Sequence, residues 1–139
     1  MENLGQREDF LDLEWYEVNK PLIKRESRLG EWVEIKLDSK VTYQQGQIIF
    51  KDEVKVLRIN IKPCLCIVLD SEDIATIGRF CFDVGNRHLP IFQSGNSQIA
   101  VSYDARLFQA LKEKYHQAVR LDECKLLPNQ ALKAFGNFM

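Results

Sequence analysis

Apolar and polar positions alternate along the first half of the chain and recur with a helical period in the second. From about Asp12 to Ile61 the pattern has the two-residue period of strands. Leu13, Trp15 and Val18 open a first strand. Leu22-Ile23 to Arg28 and Trp32 to Leu37 predict a hairpin turning at Leu29-Gly30, with Val33, Ile35 and Leu37 on one face and Trp32, Glu34 and Lys36 on the other. Gln47 to Phe50 and Val54 to Ile61 form a second pair around the polar turn Lys51-Asp52-Glu53. Past Pro63 the run Cys64-Leu65-Cys66-Ile67-Val68-Leu69 is apolar on both faces, as a strand inside a covered sheet would be. Asp70 or Ser71 then caps a helix with Glu72 and Asp73 in its first turn, Ile74, Ile77, Cys81 and Val84 on one stripe, and a stop at Gly85-Asn86. Leu89 to Gln93 and Gln98 to Tyr103 flank the turn Ser94-Gly95-Asn96-Ser97. Asp104 caps a second helix with Leu107, Leu111 and Tyr115 on one face and Phe108 beside it. A strand around Ala118 to Cys124 ends the series, followed by a short tail with weak helical character near Ala131 to Phe135.

These elements predict an α+β chain. A small all-β N-terminal domain over 1–62 precedes a C-terminal domain over 63–139 in the order β-α-β-β-α-β, the ferredoxin-like pattern. Two cores of this size are each marginal, so association would help them. Charge is balanced, 19 Lys and Arg against 20 Asp and Glu, which argues against an electrostatic nucleic-acid partner. The N-terminus shows no signal-peptide h-region, and the longest apolar run is too short to span a bilayer. The expectation is a soluble cytoplasmic protein with its four cysteines reduced.

Candidate chemistry is sparse. There is no GxxxxGK[ST] or GxGxxG loop, and neither histidine, His88 or His116, lies in a nucleophile-base pattern. The chain is therefore not expected to be an enzyme. Cys64 and Cys66 stand two apart on a strand, so their thiols share a face, and soft thiolates so placed could hold a metal. The simpler expectation for them, and for Cys81 and Cys124, is that small apolar residues fill the core. The same holds for Trp15, Tyr16 and Trp32, aromatics expected to be buried more often than presented to a partner. His116, beside Lys112 and Lys114, reads as a solvated histidine near a helix C-terminus. His88 stands where a helix stops and a strand begins, so a fixed corner aims its ring.

That corner carries a resemblance. Gly85-Asn86-Arg87-His88-x-Pro90, preceded by the helix Ile74 to Val84 and followed by Tyr103-Asp104 at the next helix, resembles the urease accessory protein UreE family. Asp12-Leu13-Glu14-Trp15-Tyr16-Glu17, the Gly30 hairpin and the strand Gly46 to Phe50 leading into Val54 to Ile61 extend the likeness over about Asp12 to Cys124. The resemblance implies a peptide- or partner-binding β domain and a ferredoxin-like metal-binding domain through which the protein forms homodimers. It implies Ni(II) as cargo, His88 as the essential ligand, and delivery to a urease maturation complex containing a GTPase and the urease apoprotein. The chain departs from many members, with Ala105 and Tyr103 where they carry histidines around the aspartate and with no histidine-rich tail, so storage of several ions is not expected.

One imidazole cannot hold a divalent ion that takes about four to six ligands. A two-fold axis beside His88 would bring its mate, giving two imidazoles from one residue. Imidazole suits Ni(II), Cu(II) and Zn(II) alike, so selectivity must come from supply or partners. Such an incomplete site suits handing metal on, and it should release metal as pH falls, because the ligand must be neutral. The competing expectation is a protein- or peptide-binding adaptor in which metal is secondary.

Overall fold

The computed structural model describes residues 6–95 and 97–132 of an α+β chain that divides into two units between Lys62 and Pro63. No helix among the described residues is long and apolar enough to cross a membrane.

The first unit is built from β1 (Arg7–Leu13), β2 (Leu22–Glu26), β3 (Trp32–Lys36), β4 (Ile48–Lys51) and β5 (Lys55–Ile61). β2 and β3 make the expected hairpin, with Ile23 opposite Ile35, and β4 pairs antiparallel with β5. β5 is the middle of the three-stranded sheet β1-β5-β4, and β1 runs parallel to it. The first strand lies earlier than the pattern predicts. It ends at Leu13, and Trp15–Glu17 forms a 3₁₀ turn. The strand was hidden because a carboxylate occupies one of its inward positions: Asp9 is fully buried alongside Leu11 and Leu13. Its Oδ1 accepts hydrogen bonds from the N–H groups of Phe10 (2.8 Å) and Leu29 (3.0 Å). Burial pushes the Asp9 carboxyl up, but bonds from Ser27, Leu29 and Phe10 outweigh that and hold it below the usual range.

Glu17 explains the 3₁₀ turn. Its carboxylate accepts the Glu14 N–H (2.9 Å) and is gripped by the Arg25 guanidinium at 2.9 and 2.6 Å, tying the turn to β2. These bonds need a chain reversal after Glu14 that a continuing strand would not allow.

The second unit contains β6 (Cys64–Asp70), α1 (Ile74–Gly85), β7 (Phe92–Ser94), β8 (Gln98–Ser102), α2 (Ala105–Tyr115) and β9 (Val119–Cys124). The sheet order is β7-β8-β6-β9, antiparallel throughout. In β6 the run Cys66 to Leu69 is buried without alternation, as a central strand covered on both faces requires. Ile67, Leu69, Ile99, Val101 and Val119 meet Phe80 and Val84 of α1 and Leu107, Leu111 and Tyr115 of α2 in one core. Past β9 the chain passes through buried Leu126 and a 3₁₀ turn, Pro128–Gln130. It then reaches the opposite edge, where Ala131 bridges Phe92 and the Leu132 N–H donates to the Ile91 carbonyl (2.8 Å). The helical character expected from Ala131 is thus replaced at that residue by a bridge, and 133–135 lie outside the described residues.

Two boundaries differ from the sequence pattern. α1 is capped by Asp73, whose Oδ2 accepts the Thr76 N–H (3.2 Å) and hydroxyl (2.6 Å), not by Asp70 or Ser71. Asp70 is still in β6, paired with Gln98, so helical geometry cannot begin there. The later start puts Glu72 and Asp73 ahead of the helix; Phe80 and Val84 take its core side, and that phase leaves Ile74 85% exposed. β7 begins at Phe92 and not at Leu89, because His88 is left-handed (φ 57°) and Pro90 has no N–H for a ladder.

Glu17 generates a test. The Arg25 guanidinium holds the Glu17 carboxyl down to about 2, below its ordinary 4.5, so its contribution is present above about 4.5 and lost as pH falls towards 2. Urea unfolding should show Glu17→Gln less stable than wild type by about 2–3 kcal/mol at neutral pH, with the gap narrowing steadily under acid.

Candidate metal centre

The environment of His88 follows from how α1 ends. Val84 is fully buried and fixes the last helical turn on the core, while Gly85 and Asn86 face solvent. Three successive N–H groups close the terminus: Asn86 donates to the Phe82 carbonyl (2.9 Å), Arg87 to Val84 (3.0 Å) and His88 to Gly85 (2.9 Å). His88 itself takes the left-handed conformation that reverses the chain, a place where histidine is found more often than most side chains. The helix end is also pinned from the side. Asp83 accepts the Tyr115 hydroxyl (2.6 Å) and the Lys114 ammonium (2.8 Å) of α2. Those two bonds hold the Asp83 carboxyl below its usual range.

The result is a rigid corner with an exposed imidazole. Among the described residues, the His88 side chain makes no hydrogen bond or ion pair, so a neutral ring offers a free lone pair to an incoming ion. By itself the corner is incomplete. No group of three or more His, Cys, Asp or Glu among the described residues comes together to hold a metal. His116, the other histidine, is exposed at the end of α2, where it is also left-handed (φ 52°) and its N–H donates to the Lys112 carbonyl. That is the helix-terminus position expected of it. Tyr103 packs its ring 6.3 Å from that of Phe108, and Ala105 opens α2 behind the Asp104 cap.

The cysteines divide. Cys66 is fully buried in β6, whereas Cys64, Cys81 and Cys124 are half-buried, and all four are thiols. Cys81 packs against the helix-side core, and burial raises its pKa. Cys64 Sγ lies 3.7 Å from Cys66 Sγ, with Cys124 opposite Cys64 on β9.

The sequence pattern missed a surface beside His88. Ile74, Gly78 and Phe82 stand four apart on α1, and the two large side chains are 85% and 69% exposed. Gly78 and Gly85, on the same face of the helix, have open space where a side chain would be. The pattern had assigned Ile74 to the core. The signal available was a second apolar spacing, 74-78-82, alongside the one that packs inward.

The aromatics of the first unit also depart from expectation. Trp15 is half-buried, but Tyr16 and Trp32 are 69% and 62% exposed. Trp32 borders a cleft of about 540 Å³ between β3 and β4, lined also by Ile35, Tyr43, Ile48, Phe50 and Leu57. Among the described residues, each of those strands has a neighbour on one side only, β2 and β5 respectively. The Tyr43 hydroxyl is buried there without a hydrogen-bond partner among the described residues.

No family model matches the chain. It is similar to the urease accessory protein UreE of Acetivibrio thermocellus, 37% identical over 103 residues that cover 74% of this chain and 67% of that protein. The protein of the same name from Flavobacterium johnsoniae is 30% identical over 131 residues, 93% of this chain and 79% of its own length. That from Helicobacter acinonychis is 34% identical over 92 residues, 65% and 54%.

The left-handed corner can be tested without metal. A β-branched side chain at this φ is strained, while glycine is not. Thermal unfolding should show His88→Gly as stable as wild type or slightly more so, and His88→Val destabilised by about 1 kcal/mol or more.

Proposed function

The chain belongs to the urease accessory protein UreE family, and from that premise we propose that it is a nickel metallochaperone working as a homodimer. It is an accessory protein, not an enzyme. In this reading two chains associate through their C-terminal units and hold one Ni(II) between paired His88 side chains. They pass the ion, in the cytoplasm, to a maturation complex of accessory GTPase and urease apoprotein. The sheet order β7-β8-β6-β9 with both helices in one core supports a ferredoxin-like C-terminal domain over 63–139.

One observation carries the reading: an exposed imidazole on a rigid helix-end corner, next to an exposed apolar helix face. An isologous contact through Ile74, Gly78 and Phe82 would bury that face, and the flat glycines would let two copies approach closely. It would also supply the second imidazole that the His88 corner of a single chain lacks. With the other positions filled by water or a partner's group, the ion stays exchangeable, as delivery demands. Zn(II) and Cu(II) should compete for the same nitrogens, because nothing in two imidazoles selects nickel.

Native mass spectrometry should find one Ni(II) per two chains. His88→Ala should weaken binding at least tenfold, whereas Phe82→Asp should give monomers of unchanged circular dichroism that also lose nickel. Nickel binding by His88→Ala equal to wild type overturns the assignment.

A second reading concerns the N-terminal unit, 1–62, as the partner-binding domain. Two open strand edges, exposed Trp32 and Phe50, and a buried Tyr43 hydroxyl lacking a hydrogen-bond partner favour an extended polypeptide segment added beside β3 or β4. Should this unit dock the maturation partner, Phe50→Asp will cut complex formation tenfold or more in surface binding assays while leaving nickel stoichiometry intact. Undiminished complex formation removes the reading.

A further inference from the structure

The proposed nickel site makes no use of Cys64 and Cys66, yet they are placed as a pair. They stand two apart on β6, so their side chains leave the same face of the sheet, and their sulfurs are 3.7 Å apart. Cys66 is fully buried and Cys64 half-buried, so any approach to the pair comes from the Cys64 side. On the neighbouring strand Cys124 lies opposite Cys64, with its carbonyl oxygen 3.9 Å from Cys66 Sγ.

The spacing decides between two chemistries. A disulfide needs its sulfurs about 2.05 Å apart and its Cα atoms most often about 5.5–6 Å apart. Residues two apart on an extended strand are separated by about 6.6–6.8 Å, at the outer limit of that range. A bridging ion has no such difficulty. With metal–sulfur bonds of about 2.3 Å, two thiolates on one ion sit about 3.8 Å apart at a tetrahedral angle and about 4.6 Å apart when collinear. The observed 3.7 Å is at the edge of that range, within reach of a small side-chain rotation.

Ligand number then selects the ion. A structural zinc site takes four protein ligands, and no group of three or more His, Cys, Asp or Glu among the described residues is arranged to hold a metal. Soft monovalent copper prefers thiolates. As a d10 ion it is satisfied with two.

We propose that Cys64 and Cys66 form a second metal site, separate from His88, that binds one monovalent copper ion per chain through two thiolates. Two S–Cu bonds form, two S–H bonds break, and both protons leave to solvent, with no change of oxidation state. Burial, reinforced by Cys64, pushes the Cys66 thiol well above its ordinary range, so copper must displace the protons.

The test is anaerobic competition of the full chain against a chromogenic Cu(I) chelator, with the near-ultraviolet thiolate-to-copper absorption as a second readout. One Cu(I) per chain is expected for wild type, His88→Ala and Cys81→Ser. In Cys64→Ser and Cys64→Ala, which replace a half-exposed side chain, affinity should fall at least tenfold and the absorption band should vanish, with circular dichroism unchanged. Wild-type binding in both Cys64 variants overturns the proposal, and so does an equal loss in His88→Ala or Cys81→Ser. Because nickel stoichiometry is read separately, failure here leaves the His88 reading standing.

Discussion

Strand β6 buries Cys66, Ile67, Val68 and Leu69 in succession, and the C-terminal unit is arranged around that requirement. A strand apolar on both faces must be flanked by neighbours and covered above and below. β8 and β9 flank it, α1 and α2 supply the core on one face, and the other face is closed at Cys66 and Val68. Phe80 and Val84 seat α1 on that core, and their phase leaves Ile74, Gly78 and Phe82 outward. Where α1 stops is where His88 turns. The His88 corner is therefore a consequence of how a buried strand is covered.

The two proposed sites are of opposite character. His88 would act as a borderline nitrogen donor on a solvated corner, half of a centre and open to exchange. The sulfur pair is soft, close to complete for a two-coordinate ion and set into the sheet. Such a division would give a soft monovalent ion a thiolate site of its own, apart from an imidazole centre that could not reject copper by affinity alone.

The N-terminal unit is organised by buried charge. Asp9 receives N–H groups from its own strand and from Leu29 at the hairpin turn, and the Arg28 N–H donates to the Phe10 carbonyl (2.8 Å). Glu17, gripped by Arg25, ties the 3₁₀ turn to β2. Buried carboxylates anchored in this way, Asp9 through Oδ1 and Glu17 through both oxygens, favour one geometry, since any other gives up those bonds. They also hide strands from the alternation of apolar and polar residues, so that pattern places β1 too late and makes Trp15–Glu17 look extended.

The sequence by itself determined the β2–β3 and β4–β5 hairpins, the central β6, the stop at Gly85-Asn86, the Asp104 cap and the family, since all rest on local spacing and particular residues. Its motif singled out His88 because a corner of glycine, asparagine and arginine before a histidine is a local feature. Only the tertiary structure decided the parallel pairing of β1 with β5, the Asp73 cap, the late start of β7 and the outward stripe of α1. The first two depend on groups that meet from distant parts of the chain, Asp9 with Leu29 and Asp70 with Gln98, whereas β7 starts late because of the backbone turn at His88 and the missing N–H of Pro90. The period of a helix says that one face is apolar, but not which of two apolar faces the core will take. Packing made that choice, and it left Phe82 outside.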